Sequence, residues 1–402
     1  MQTENGDPGQ YHTRLYQQAR AVTLAAGLKT PALIAQCTGG IKHVEAFDAG
    51  YAKLMRHHGV ANGMFTGDEL LGGASPSRGT SNAAISLLMS TLESLLTMQD
   101  GVSHCDLLEK LAFNALPAAY SADMRAWQRL QQPNQIDLQT PKRHWYNAGA
   151  DSGGFVSNLT EDGSALHHGL PRFAASLWMA SKDGGLTAMS YAPCTVRARA
   201  GGETVRIHVQ TAYPFDEEVT LRVHTRAELA FPLHLRIPEW AEGATLAING
   251  EQQTCRPGSF ASLNRMWRSG DTVTLRFPLR VSLSKWYHHS AALCCGPLLL
   301  AYAPGAKMIG NWPADMPWAY ALLLGEGSDM RCDPAKAAPF GHSQPLTVEV
   351  KALALPEWAV KDGVADPPPI APDADSACAE SLVLVPYGAT ALRVCQFPVA
   401  SV

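Results

Sequence analysis

A glycine-rich stretch from Gly63 to Thr80 holds two adjacent carboxylates, Asp68 and Glu69, and these are the first residues whose types suggest chemistry. Glycine lets the backbone adopt conformations closed to other residues and approach a ligand closely. Loops that carry carboxylates on a helical scaffold often present catalytic or binding groups. The same composition is also typical of a solvated surface turn, so the loop alone leaves both interpretations open.

Nine cysteines are the other candidate nucleophiles or metal ligands. Their odd number and the absence of a Cys-x-x-Cys spacing argue against a closed disulfide framework. The adjacent pair Cys294-Cys295 lies in the apolar run from Ala291 to Leu298, which predicts a buried strand. Thiols in such a strand usually pack as small hydrophobic side chains.

The composition disfavours several classes of function. The chain has 402 residues, with 46% hydrophobic and 17% charged, which is typical of soluble globular proteins with two or three domains. A net charge of −4 gives no electrostatic reason to expect nucleic acid or an acidic membrane as a partner. No apolar run reaches membrane-spanning length, and the polar, acidic N-terminus differs from a signal peptide, so we expect a cytoplasmic protein.

The elements that would position the acidic loop are predicted to be helices. Apolar residues recur at three- and four-residue spacing from about 12 to 58, and Gly39-Gly40 closes the second helix of that region. After the loop, Thr80 or Ser81 caps a helix with the apolar stripe Ile85, Leu88, Met89, Leu92, Leu95 and Leu96, and with Gly101 as its stop. A capping box at Ser103–Asp106 predicts a helix from Leu107 to Leu116 that Pro117 ends. A further helix is predicted from about Gly169 to Ser181.

The pattern then changes to the two-residue alternation of half-buried strands. It is clearest in four segments, 204–211, 219–224, 231–237 and 272–277, and the Asn249-Gly250 dipeptide predicts a hairpin. Two more strands are expected at 347–353 and 381–385. These patterns divide the chain into a helical domain at 1–182, a β-sandwich at 183–305 and a C-terminal β appendage at 306–402 that packs on the sandwich.

With these motifs set out, the chain resembles the C-terminal part of glycoside hydrolase family 127, the β-L-arabinofuranosidase family. The resemblance covers nearly the whole chain in order, and the residues that carry it are Gly59 to Glu69, Gly79-Thr80, Leu108 to Ala118, Pro133-Asn134-Gln135, Gly169 to Ala174, Tyr213-Pro214-Phe215, Leu235 to Trp240, Trp267 to Asp271, Gly296-Pro297-Leu298 and Pro386 to Arg393.

The resemblance implies a fold and a mechanism. The fold is an α/α toroid of the six-hairpin type followed by β-sandwich domains. About twelve helices complete such a toroid, which takes roughly 200 residues. This chain has room for only part of one, so we expect a second chain or an N-terminal half to complete it. In the mechanism, a zinc-bound cysteine thiolate attacks the anomeric carbon of a terminal β-L-arabinofuranoside and a glutamate is the acid/base, at the position of Glu69 here.

The chain departs from the family at the positions of the zinc ligands and the cysteine nucleophile. The zinc-binding Glu-x-Cys is replaced by Ser81-Asn82-Ala83, and the Cys-Cys pair of nucleophile and ligand is replaced by Glu161-Asp162. The family's His-Gln-Tyr becomes Trp127-Gln128-Arg129, and a histidine of an upstream helix falls at Arg20. Since serine and alanine cannot hold zinc, we expect no cofactor at this site and no metal ligands among these residues.

Three hypotheses remain open. In the first, the zinc ligands and the cysteine nucleophile have been lost, and the protein binds carbohydrate without catalysis. In the second, Glu69 is the acid and Glu161 or Asp162 the nucleophile or base of a two-carboxylate glycosidase. In the third, Glu161, Asp162, His167, His168 and Glu69 assemble a different metal site.

The expected substrate-binding residues are Asp68, Trp127, Arg129, Asn134 and His167. Each candidate also has a structural interpretation. The Glu161-Asp162-Gly163 sequence is typical of a solvated turn. Trp127 is equally suited to filling space among changed neighbours.

Overall fold

The computed structural model describes residues 20–39, 41–43, 45–67, 70–98, 101–138, 155–157, 165–305, 307–308, 310–324, 332–334, 346–361, 363–370, 372 and 379–400. In these ranges the chain has an α+β fold with six α-helices of seven or more residues and a larger number of strands. The helices are α1 (Ala21–Gly27), α2 (Thr30–Thr38), α3 (Glu45–His58), α4 (Asn82–Leu96), α5 (Val102–Lys110) and α6 (Ala165–Ala175).

Helix α4 is the centre of the helical part, and its start and apolar stripe form as the sequence predicts. It ends at Leu96, and not at Gly101, which instead precedes α5. The Ser81 hydroxyl accepts a hydrogen bond from the Ala84 N–H, which satisfies one of the free donors at the helix start. All six residues of its apolar stripe are buried, and α1 and α6 pack on either side of it. Helix α2 is confirmed as well, because Gly39 ends it in the left-handed conformation (φ 69°) that the double glycine suggested.

Two of the predicted helices have different ends. Helix α5 begins at Val102 after Gly101, and no side chain caps its start, so the capping box at Ser103 is wrong. It continues through a π-helical segment (Leu111–Ala115) into a last turn at Leu116–Ala118 that includes Pro117. Helix α6 ends at Ala175, and not at Ser181, because residues 178–180 pair as a strand with 186–188 around a turn at Gly184.

Short strands connect the helices, and long strands form the sandwich. The short ones are β1 (Thr80–Ser81), β2 (Ala126–Gln128), β3 (Leu130–Gln131) and β4 (Phe155–Ser157). The sandwich strands are β5 (Trp178–Ala180), β6 (Leu186–Ala188), β7 (Cys194–Ala200), β8 (Glu203–Thr211), β9 (Glu218–His224), β10 (Leu229–Ile237), β11 (Thr245–Ile248), β12 (Glu251–Thr254), β13 (Ser259–Trp267) and β14 (Thr272–Arg276).

The sandwich has two sheets, with strand orders β13-β10-β6-β5 and β12-β11-β14-β9-β8-β7. Their alternate inward residues, among them Ile207, Leu221, Leu233 and Leu275, form one buried core. The predicted hairpin at Asn249-Gly250 is confirmed: both residues have positive φ (49° and 94°), and Ile248 pairs with Glu251.

The last sheet joins strands from both sides of residue 305, where the sequence predicts a domain boundary. Its strands are β15 (Val281–Lys285), β16 (Ala291–Cys295), β17 (Leu298–Ala301), β18 (Tyr320–Leu323), β19 (Cys332–Pro334), β20 (Leu346–Ala354), β23 (Glu380–Pro386) and β24 (Val399–Ala400), and β21 (Val360–Lys361) pairs with β22 (Val364–Ala365) separately. The strands predicted at 347–353 and 381–385 form. The apolar run 291–298 forms a strand only to Cys295, because a turn at Gly296 leads into the next strand, β17. Within the described residues, no helix is long and apolar enough to cross a membrane.

Candidate functional site

The loop from Gly59 to Gly73 folds back on the end of helix α3. The His58 carbonyl accepts a hydrogen bond from Thr66 N, and His58 Nδ1 accepts one from Gly73 N at 3.0 Å. The glycines are needed where the backbone comes close to other atoms. A Cβ on Gly59 would lie 2.3 Å from the Met55 carbonyl oxygen, and one on Gly67 would lie 2.5 Å from Ala21 Cβ.

Asp68 and Glu69 themselves lie outside the described residues, but their neighbours on both sides are placed. Gly67 lies beside Thr80 in a parallel bridge, and Leu70 forms an antiparallel bridge with Arg20 at the start of α1. Thr80 in turn pairs with Gln131 of β3. The two described residues next to the acidic pair, Gly67 and Leu70, therefore lie against the start of α4 and the start of α1.

Ser81 and Ala83 lie at positions where the resemblance places two zinc ligands. Ser81 is buried and its hydroxyl caps α4, while Ala83 has no donor atom. Among the described residues, no group of three or more His, Cys, Asp and Glu side chains could hold a metal ion. The donor set at these two positions does not fit zinc.

Glu161 and Asp162 also lie outside the described residues, between strand β4 and helix α6. Helix α6 packs closely on α4, since a Cβ on Gly169 would lie 3.2 Å from Ser86 Oγ. His168 is exposed at the start of α6. His167 belongs to the same helix, but its side chain is outside the described set.

The three described residues that we expected to bind substrate have clear structural contacts. Trp127 is buried in the helical core and bridges to Tyr120, and Arg129 is exposed with its carbonyl accepting from Asn82 N. The Asn134 amide oxygen accepts from Cys395 N and Gln396 N at 3.0 Å, and its amide nitrogen donates to the Gln396 carbonyl. Their contacts with a sugar remain predictions.

Sequence reasoning missed a set of buried polar groups beside the start of α4. Tyr120 is fully buried next to Asn82, and burial raises the pKa of its phenol to about 12, against the opposing effect of Asn82. Thr80 Oγ1 and Trp127 Nε1 are buried without a hydrogen-bond partner among the described residues. The pairing of residues 119–121 with 126–128 brings Tyr120 to this place, and no local sequence pattern signals it.

Five of the described cysteines are poor substitutes for a zinc-activated thiolate. Burial is the main effect that raises the pKa of the thiols at Cys105, Cys194, Cys255, Cys294 and Cys395, to about 12 for Cys105. A raised pKa leaves little thiolate at neutral pH, so these residues are poor nucleophiles.

Comparisons with known proteins agree with this arrangement of elements. Residues 185–279 match the family described as β-L-arabinofuranosidase, GH127 middle domain. Among solved structures, a GH127 β-L-arabinofuranosidase from Geobacillus stearothermophilus T6 is similar, with a TM-score of 0.71 and 19% identity over 97% of this chain and 62% of that one. A glycoside hydrolase has a TM-score of 0.73 and 16% identity, over 100% of this chain and 70% of its own.

A GH127 β-arabinofuranosidase is similar too, with a TM-score of 0.72 and 16% identity over 99% of this chain and 63% of that one. No curated protein matches the sequence. The chain thus spans less than two thirds of the length of the Geobacillus enzyme. The resemblance to glycoside hydrolase family 127 is confirmed, and at these identities the solved structures establish the shared fold alone.

Proposed function

We propose that this chain, with its confirmed resemblance to glycoside hydrolase family 127, is a glycoside hydrolase-like protein for terminal β-L-arabinofuranosides that has lost the family's zinc and thiolates. The observation that carries the proposal is the role of Ser81. At a family ligand position, its hydroxyl caps helix α4 instead of offering a metal donor. The raised pKa values of the buried thiols support the same conclusion.

The scaffold around the site is part of the proposal. We infer that α1, α3, α4, α5 and α6 belong to a partial α/α toroid, because α4 packs against α1 on one side and α6 on the other. Paired helices with loops at one end are the usual construction of such toroids, and the acidic loop lies at the start of α4. A second chain or an N-terminal half would complete the ring.

A second candidate function is a glycosidase that uses only carboxylates. The described neighbours favour it, because Gly67, which precedes Asp68, lies beside Thr80, and α6, which follows Asp162, packs along α4. In this mechanism Glu69 protonates the leaving oxygen and Glu161 or Asp162 attacks the anomeric carbon or activates water. If neither Asp68-Glu69 nor Glu161-Asp162 takes part in catalysis, the alternative is an inactive carbohydrate-binding protein.

The loss of zinc and thiolate chemistry gives the first testable prediction. Purified protein should carry far less than one zinc per chain by elemental analysis, and a thiol-alkylating reagent should leave any turnover of an aryl β-L-arabinofuranoside unchanged. One tightly bound zinc per chain, or inactivation by alkylation that substrate prevents, would overturn the proposal. Cys37, the exposed cysteine among those described, supplies an internal check that the reagent reacts.

The substitution Glu69→Gln distinguishes a glycosidase that uses carboxylates from an inactive carbohydrate-binding protein. If carboxylates perform the reaction, this change should lower kcat by a factor of about 10²–10⁴, the usual contribution of a general acid. The matched control is Ser103→Ala on the exposed side of α5, which should keep wild-type turnover. Wild-type protein that binds arabinosides but turns over none of them would leave the inactive carbohydrate-binding protein as the remaining function.

A further inference from the structure

A groove of about 490 Å³ lies in the C-terminal part of the molecule, outside the elements that surround the acidic loop. Its volume is within the range of about 300–1,000 Å³ that is typical of small-molecule sites. The lining residues include Ile136, Asp137, Asn311, Trp312, Asp315 and Trp318.

The groove is held by backbone pairing between two distant parts of the chain. Asp137 forms an antiparallel bridge with Asn311, and two hydrogen bonds of 3.0 Å flank it, from Leu138 N to the Gly310 carbonyl and from Trp312 N to the Ile136 carbonyl. A turn from Pro313 to Met316 closes one side, with a hydrogen bond of 3.2 Å between its ends. The lining residues are therefore positioned by the fold.

Two half-buried tryptophans form the apolar part of the groove, and each is backed by another ring. The Trp312 ring lies 5.6 Å from that of Tyr302, and the Trp318 ring lies 4.8 Å from that of Trp358. Trp358 is itself fixed, because it is buried and its indole N–H donates to the Asp366 carbonyl at 2.8 Å. Rings held in this way bind flat apolar surfaces at little entropic cost.

The polar part of the groove offers hydrogen-bonding groups without positive charge. Asn311 and Asp315 are exposed, Asp137 is buried, and no Lys, Arg or His is among the lining residues. Carboxylates accept from hydroxyls, and an amide both donates and accepts.

We propose that this groove is a second, non-catalytic binding site for a neutral saccharide. A sugar ring has apolar C–H faces, which suit the tryptophans, and a rim of hydroxyls, which suits the exposed Asn311 and Asp315. The two carboxylates and the absence of a lining cation disfavour uronic acids and other anionic sugars. A calcium or magnesium site is disfavoured because the groove supplies only two carboxylates. The proposal does not depend on whether the acidic loop is catalytic.

The test is affinity gel electrophoresis of the full chain in gels containing a neutral polysaccharide, linear arabinan, or an anionic one, polygalacturonate. Arabinan should retard the wild type, and Trp318→Ala should weaken that interaction by about tenfold through loss of one stacking contact. Tyr287→Ala, which removes another half-buried aromatic ring outside the groove, is the matched control and should be retarded like the wild type.

The proposal is overturned if arabinan fails to retard the wild type, if Trp318→Ala and wild type are retarded equally, or if polygalacturonate binds more tightly than arabinan. Should Trp318→Ala unfold, the exposed pair Asn311→Ala and Asp315→Ala tests the polar side of the groove with little risk to folding. That double variant should also lose retardation, and unchanged binding would count against the site. Binding of Ca²⁺ without binding of arabinan would assign the groove to a cation instead.

Discussion

At the scale of single residues, His58 joins the far end of the acidic loop, at Gly73, to the end of helix α3. It is buried at the end of α3, and its Nδ1 accepts the hydrogen bond of Gly73 N at 3.0 Å. Burial, with a smaller effect from His57, lowers the pKa of His58 from 6.5 to about 4. A neutral imidazole is therefore built into the loop, because a protonated Nδ1 could not accept from Gly73.

This arrangement predicts that the free energy of unfolding falls as the pH drops from about 7 to 4. Between those values the unfolded chain binds a proton at His58 and the folded chain does not, so acid favours unfolding. A pKa unit is worth about 1.4 kcal/mol, which gives a loss of up to about 3 kcal/mol over this range. Urea unfolding at several pH values measures the loss.

The variants for this test are His58→Asn and His57→Asn. Asparagine at position 58 keeps an acceptor near Nδ1 and cannot titrate, so its stability should depend less on pH than that of the wild type. His57 is exposed, and His57→Asn should keep most of the wild-type dependence because burial is the larger cause of the shift. Equal slopes for wild type and His58→Asn would show that His58 does not carry the effect.

The sequence predicted some of these residue roles and not others. Ser81 was expected as a cap because serine before an apolar stripe is a local signal. The burial of His58 and Tyr120 was not expected, because each depends on a loop or bridge that folds back from elsewhere in the chain. The carboxylates Asp68, Glu69, Glu161 and Asp162 lie outside the described residues, so their roles stay predictions.

At the scale of elements, helix α5 connects the helical part to the last sheet through Asn114. The Asn114 side chain is fully buried in the π-helical segment. Its amide nitrogen donates to the Pro297 carbonyl and its oxygen accepts from Leu299 N, both at 2.8 Å. The backbone around the turn between β16 and β17 is therefore satisfied by a side chain of the helix.

We predict that Asn114→Ala destabilises the protein by about 2–4 kcal/mol. The change leaves the buried Pro297 carbonyl and Leu299 N–H without their partner, and each such group costs about 1–3 kcal/mol. Ser103→Ala on the exposed side of the same helix should stay within about 0.5 kcal/mol of the wild type. Thermal or urea unfolding of both variants checks this, and a loss for Asn114→Ala no larger than that for Ser103→Ala would contradict it.

The elements themselves were predicted unequally, for physical reasons. The bounds of strands β8, β9, β10 and β14 lie within two residues of those predicted. In a half-buried strand, apolar and polar residues alternate because successive side chains point to opposite faces, so the sequence pattern shows the strand directly. The ends of α5 and α6 were wrong, because a π-helical segment and the pairing of residues 178–180 with 186–188 are set by tertiary contacts. The groove between Asp137 and Trp318 has no sequence signal, because its two sides are distant in the chain.

At the scale of the whole molecule, the residues that carry the family resemblance meet where the helices contact the sheets. Glu109 of α5 accepts from Tyr213 OH at 2.7 Å and lies 2.5 Å from Arg236 Nη2. Asp106 also pairs with Arg236. A Cβ on Gly388 would lie 2.4 Å from the Phe113 carbonyl oxygen, so the 3₁₀ turn Tyr387–Ala389 after β23 can approach the helix only through glycine. Many of the residues that carry the family resemblance therefore hold the helices against the sheets and have a structural role.

The ion pair between Glu109 and Arg236 is the most consequential of these contacts, because both side chains are fully buried. Burial raises the pKa of Glu109, and the Arg236 charge opposes that rise. Removing one partner of a buried pair usually costs about 3–5 kcal/mol, because the other charge is left without compensation. We therefore predict a loss of that size for Arg236→Met at pH 7.5, measured by urea unfolding.

The pH dependence of Arg236→Met distinguishes lost charge compensation from lost packing. Without Arg236, the pKa of Glu109 in the folded chain rises further, so the folded state takes up a proton before the unfolded state does. The variant should consequently regain stability as the pH falls from 7.5 to 5.5, relative to the wild type. Adding Glu109→Gln should recover part of the loss at pH 7.5, because a neutral amide can still accept from Tyr213 OH, and should remove the pH-dependent gain. A loss that is the same at both pH values and in the double variant would mean that Arg236 joins the helices to the sandwich by packing alone.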